Sequence, residues 1–196
     1  MPYQNTIMNN IWSLPESLNV GGSDFQIRTD FRAILDILNY FEDPEYEDDE
    51  KMEICKRILY PGWREIPIEH TEDALKKAMW FISGGEDPTE GKPRPKVMDW
   101  EQDAPMIIPA INKILGKEIR SVPYMHWWTF LGSYMEIGES LYTAVLSIRQ
   151  KKSKGKKLDK AEQDFYRENK KIIDLKVRYS NAELKEQEKL KAILDG

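Results

Sequence analysis

Two periods of hydrophobic spacing run along this chain. A period of two holds over residues 18–27, Leu-Asn-Val-Gly-Gly-Ser-Asp-Phe-Gln-Ile. A Gly-Gly pair between alternating runs predicts a two-residue hairpin turn, because glycine accepts the positive φ that such turns require. The register sets Val20 against Ser23 and Leu18 against Phe25. Leu18, Val20, Phe25 and Ile27 then share one apolar face. Two strands are marginal alone, so this hairpin is expected to lie on helices.

From Thr29 onward the spacing is helical. Thr29-Asp30 reads as a cap, followed by Phe31, Ile34, Leu35, Leu38 and Phe41 as one stripe ending near Pro44. A second helix, from about Asp49 to Leu59, stops at Tyr60-Pro61-Gly62. A third opens at Thr71 with Leu75, Ala78, Met79 and Ile82 inward and Gly84-Gly85 as its stop. The stretch from Gly84 to Lys96 is a loop rich in glycine, proline and charge. A fourth helix, about Gln102 to Leu115, points Ile107, Ile108, Ile111, Ile114 and Leu115 inward. Pro109 is expected to kink or restart it. Leu141, Ala144, Val145 and Ile148 mark a sixth helix.

The fifth helix stands out. Pro123 to Leu131 packs Tyr124, His126, Trp127, Trp128 and Phe130 into an otherwise polar chain, with Pro123 suited to the first turn. Trp127, Leu131 and Tyr134 share one face; Trp128, Leu131 and Met135 share the next. Adjacent tryptophans point about 100° apart, so they must meet two different surfaces. One reading is a central core helix; the other is an exposed aromatic face for a partner.

Arg149 to Lys160 carries seven basic residues against one acid and reads as a lysine-rich turn between helices. Asp159 caps a seventh helix, in which Ala161, Phe165, Glu168, Ile172, Leu175 and Tyr179 form a heptad-like seam. The pattern as a whole predicts a mainly α protein, a bundle of about seven to eight helices with a small N-terminal β-hairpin at 17–28. Residues 1–13 are expected to be an arm, 14–180 a single domain, and 181–196 a charged C-terminal helix or tail.

Charge narrows the function. The chain has 32% charged residues of both signs and a net charge of -5, which argues against a general nucleic-acid binder. Eight acids lie between Glu42 and Glu53, as expected of a solvated loop and helix start. One cysteine, Cys55, allows no internal disulfide, and its spacing from Met52 and Leu59 suggests a buried thiol. With neither an export signal nor an apolar run of membrane length, a cytoplasmic protein is the default. His70 and His126 are too few and too scattered for a metal site, and no nucleophile motif occurs. Asp48 and Asp49 lie in polar surroundings that do not favour acid–base work. No enzyme and no cofactor are expected. The candidate residues are partner-binding ones: Trp128, Trp127, His126 and Phe130 of the aromatic helix, with Trp80 and Trp100. Trp127 is the better core residue of the pair, since Leu131 and Tyr134 continue its face, and Trp128 the better contact.

Several stretches occur in the order found in one family. They are Ile27-Arg28-Thr29-Asp30-Phe31-Arg32, the Asp103 to Ile114 helix, Met125-His126-Trp127-Trp128-Thr129-Phe130, and Ile148-Arg149 followed by a basic turn and Leu158-Asp159-Lys160. From about Leu14 to Leu175 the chain resembles the tail protein of Gram-positive phages and prophages known as bacteriophage "gp fifteen". It departs from the family in having Lys117-Glu118-Ile119 where an Ile-Asp-Leu precedes the aromatic helix. The resemblance implies a role in long non-contractile tails: genes of the family lie just upstream of the tape-measure gene, where tail assembly chaperones are encoded. Such a chaperone would coat the helical tape-measure protein in the host cytoplasm until tail-tube protein displaces it, with self-association possible. Two other readings stand beside it. One is a structural tail or head–tail component pairing through the 165–179 seam; the other is a host- or nucleic-acid-directed accessory protein using the 149–160 lysines.

Overall fold

A computed structural model describes residues 12–86 and 95–194; most of the expected N-terminal arm and of the Gly84–Lys96 loop lies outside them. The protein is mainly helical, with eight α-helices and one two-stranded antiparallel sheet among the described residues. Strands β1 (Ser17–Val20) and β2 (Ser23–Gln26) pair in the expected register, Leu18 opposite Phe25 and Val20 opposite Ser23. Gly21 and Gly22 take φ of 57° and 86°, the left-handed values of a primed turn. Gly21 is required twice over, by that φ and because a Cβ there would stand 2.4 Å from the His70 ring; its N–H donates to Asp73. The hairpin therefore sits on the third helix and the turn before it. Leu18, Val20 and Ile27 are buried and Phe25 is half-buried.

Helix α1 (Phe31–Phe41) is capped by Asp30, whose carboxylate accepts from the Arg32 N–H and also from the Met125 N–H. The backbone repeats that link, since Phe31 N–H donates to the Met125 carbonyl and Trp127 N–H to the Thr29 carbonyl. The starts of α1 and of the aromatic helix are thus one unit. Helix α2 (Asp48–Leu59) begins with a capping box of Glu47 and Glu50, which gives part of the acidic run a structural task, and buries Cys55. Desolvation pushes the Cys55 thiol up to about 12, so it is inert. Helices α3 (Thr71–Ile82), α4 (Trp100–Leu115), α5 (Trp127–Met135), α6 (Leu141–Ser153), α7 (Lys160–Ile173) and α8 (Asn181–Leu194) follow. Lys117-Glu118-Ile119 leads into a short 3-10 turn, tied to α4 by the Ile119 N–H on the Asn112 side chain.

Several stripes differ in phase from expectation. In α1 the deepest residues are Ile34 and Ile37, with Leu35, Leu38 and Phe41 packed around them. In α3 the inward residues are Ala74, Ala78, Phe81 and Ile82, while Leu75 and Met79 are half-buried. In α4 Ile114 is exposed, and the helix runs unbroken through both Pro105 and Pro109. In α6 Leu141 and Ala144 face out and Tyr142 faces in. The cause is common to all: a helix with apolar residues in adjacent columns has a clear period but an ambiguous phase, and its neighbours decide which column is covered.

Helix α5 also starts later than expected. Pro123 lies ahead of it, and His126 is its N-cap instead of a residue within it. The seam from Ala161 to Tyr179 is not one helix. α7 bends at Asn169 and stops at Ile173, so Leu175 and Tyr179 lie on an extended strap, residues 174–180, and Ala161 and Glu168 are exposed.

Candidate functional site

The six aromatic candidates come together, but mostly inside the fold. Trp127 is 1% exposed, and its indole N–H donates to the Ile82 carbonyl at 2.9 Å. Phe130 is buried between Phe31, stacked at 4.7 Å, and Trp127 at 5.5 Å. His126 is buried with both ring nitrogens used. Nδ1 accepts the Trp128 N–H at 3.0 Å, so Nε2 carries the hydrogen and donates to the Pro15 carbonyl at 3.1 Å. Trp100 is half-buried against Trp127, Phe130 and Tyr134. Trp80 and Trp128 meet edge to face at 5.4 Å on the half-buried rim, where Trp128 donates to the Phe81 carbonyl at 2.9 Å. Gly85 lies beneath it, where a Cβ would stand 3.2 Å from the Trp128 ring. Trp127, His126 and Phe130 are therefore core, and the Trp80–Trp128 edge is what this cluster leaves near the surface.

Sequence reasoning missed the polar junction on the other side of α4. Arg149, counted with the lysine run, is 5% exposed and pairs with Asp103, which is 0% exposed. The guanidinium is fully used. Nη1 and Nη2 donate to the two Asp103 oxygens at 2.6 and 2.8 Å, Nε and Nη2 to the Ile173 and Ile172 carbonyls at 2.6 and 2.7 Å, and Nη1 to the Val97 carbonyl at 3.2 Å. One side chain thus closes the C-terminal end of α7 and binds α6 to α4. No buried side-chain nitrogen or oxygen among the described residues lacks a hydrogen bond. Of the lysines behind it, Lys151 pairs with Glu162, and Lys152 donates to Tyr166 and Asp174 at 2.7 Å. Part of the run is thus already spent on internal contacts.

Beside this junction Asp99 caps α4 by accepting from Glu101 and Gln102, and takes Lys96 at 3.1 Å and Arg178 at 3.0 Å. Burial alone would raise its pKa. The Gln102 N–H, Lys96 and Arg178 outweigh burial and hold the carboxyl at about 2. The strap is fastened to the same end of α4: the Gln102 amide donates to the Asp174 carbonyl and accepts from the Lys176 N–H. At its end Arg178 turns inward between the exposed Val177 and Tyr179.

The strap and the outer face of α1 enclose an open cleft of about 700 Å3. Ala33, Asp36, Asn39, Tyr40 and Asp43 line it from α1 and the turn after it, Arg57 and Ile58 from the end of α2, and Arg28, Glu101 and Arg178 complete it. These residues come from five separate stretches of chain, so no local motif announces the site. Its lining brings guanidinium and carboxylate groups together with a few apolar ones, Ala33, Tyr40 and Ile58. Among the described residues no group of three or more His, Cys, Asp or Glu could hold a metal ion, and no helix is long and apolar enough to cross a membrane.

Comparison with curated proteins and with solved structures returned no match. Residues 11–175 match the family described as Bacteriophage Gp15 protein, a span that takes in the hairpin, the aromatic cluster, the Arg149–Asp103 junction and most of the cleft. The chain accordingly belongs to the Bacteriophage Gp15 protein family and is a phage protein.

Proposed function

We propose that this phage protein acts in tail assembly as a chaperone of the tape-measure protein, in the cytoplasm of the bacterial host and without catalysis or a cofactor. The observation that carries the reading is the cleft along α1, open, rimmed by charge and floored by Ala33, Tyr40 and Ile58. A helix with side chains is about 10 Å across and rises 1.5 Å per residue, so 700 Å3 takes roughly six residues fully enclosed, or one face of a segment about twice as long. A contact that small is weak. A long helical client offers it many times, and weak repeated contacts are what tail-tube protein could displace. The half-buried Trp80–Trp128 edge is a second contact in this proposal. Self-association is then a matter of neighbouring copies sharing one client.

Mass spectrometry of infected lysates and of purified virions separates this role from that of a structural component. A chaperone is abundant in the lysate and missing from the particle. Stoichiometric recovery from virions contradicts the proposal and favours a structural tail or head–tail component.

A further inference from the structure

The cleft has a polarity along its length. Its wall runs along α1 from Ala33 to Tyr40, seven residues or about 10 Å of helix, and continues through the turn to Asp43. Near the start of α1 stand Arg28 and Arg57. Arg28 is held there by donating to the Arg57 and Ile58 carbonyls at the end of α2. Arg57 is 54% exposed and shares Glu53 with Lys56, so three cations at this end face one carboxylate. At the far end Glu42, Asp43, Asp99 and Glu101 share two cations, Lys96 and Arg178. One end is thus net positive and the other net negative, and between them lie Asp36 and Asn39 beside Ala33 and Tyr40.

We propose that the cleft selects a helical segment by charge spacing. The segment carries a basic side chain at one end of a face and an acidic one about eleven residues away, three turns along, with apolar residues between. The acidic group meets Arg28 and Arg57, and the basic group meets Asp43 and Glu101. An internal stretch of a long helix has no terminus in the cleft, so its dipole contributes nothing and side-chain charge alone sets its direction. This deepens the tape-measure reading and rests on it for the identity of the partner, though not for the spacing rule.

The test uses the full chain and two fluorophore-labelled helical peptides with the same apolar stripe. One carries Lys and Glu eleven residues apart, and the other carries Lys at both positions. Fluorescence anisotropy at low salt should show the Lys/Glu peptide binding several-fold more tightly, since exposed ion pairs are each worth up to about fivefold. Arg57→Glu, which leaves two cations against two carboxylates at this end, should abolish the preference. Asp43→Asn, which keeps an acceptor for the Glu45 N–H, should weaken both peptides about equally. Circular dichroism confirms that each variant is folded. Equal affinity for the two peptides, or a preference unmoved by Arg57→Glu, overturns the proposal. If the peptides discriminate as stated but a tape-measure fragment is not kept soluble, the chaperone reading fails and the spacing rule stands. If the fragment is kept soluble and the peptides bind alike, the spacing rule fails alone.

Discussion

Helix α5 and the outer face of α1 pack against each other's neighbourhood yet do opposite work. α5 holds the densest run of aromatic residues in the chain, and the fold closes over it: Trp127, Phe130 and the His126 cap are buried, with Trp127 and His126 hydrogen-bonded. α1 turns Phe31, Ile34 and Ile37 into that same core and leaves Asp36 and Asn39 lining an open cleft, joined by Asp43 from the turn after it. The greasiest stretch is the one the protein uses up on itself. What stays open is a polar wall that is only modestly apolar, which suits the proposed role of a chaperone that must release its client.

If the contrast is right, substitutions in the two places should act on different observables. The largest effect belongs to the buried sites. Trp127→Ala should cost about 3 to 5 kcal/mol through the cavity it opens and the lost bond to Ile82. At a chain of this size that is a fall in thermal midpoint on the order of 10 °C. Arg149→Ala should cost about as much, by stranding Asp103 and the α7 carbonyls. Replacing Arg149 with Met and Asp103 with Leu together should not restore stability, because the carbonyls of Val97, Ile172 and Ile173 would still lose their donor. Calorimetry of the single and double variants measures both.

Next in size is Trp128→Ala, about 2 kcal/mol, since this residue is half-buried and gives up one hydrogen bond to Phe81. A loss equal to that of Trp127→Ala would mean that both tryptophans are equally core.

The Asp99 cap should show itself as a dependence on pH. Its folded pKa is depressed from the ordinary 3.8 to about 2, so its contribution is fully present above about pH 4 and is lost as pH falls toward 2. The size is about 2 kcal/mol. Urea unfolding at pH 5 and at pH 2.5 should show the loss in the wild type. Asp99→Asn, which can still cap the helix, should lose correspondingly less over the same interval. Parallel losses in the two proteins would mean that the cap carries none of the acid sensitivity.

The hairpin, the caps at Asp30 and Asp159 and the glycine stop after α3 were legible in the sequence, because each depends on a few adjacent residues. The phases of α3 and α6 were not, since coverage by neighbouring helices decides them. Arg149 lay hidden at the head of a lysine run, although a signal was there: it stands four residues after Val145 and seven after Tyr142, on the inner face of α6. Asp103 likewise stands four before Ile107. The bond between them joins positions 46 apart, which no local pattern reports. The heptad seam misled because spacing alone does not register the bend at Asn169 or the stop at Ile173. The cleft was illegible for the same reason as the ion pair, being assembled from five stretches that only the fold brings together.

The smallest expected effect on stability is at the cleft. Asp43→Asn should change stability by no more than about 0.5 kcal/mol, and Arg57→Glu by about 1 kcal/mol, since it turns the Glu53 pair into a repulsion and removes the guanidinium from Trp63. Their effect should appear on a client instead. The most direct measurement is therefore co-expression of a tape-measure fragment that aggregates alone, with the soluble fraction read for the wild type and for these two cleft variants. The account predicts a soluble fragment with the wild type and a marked loss of solubility with Arg57→Glu, although that variant is folded. A fragment that aggregates as much with the wild type as without it would contradict the chaperone role.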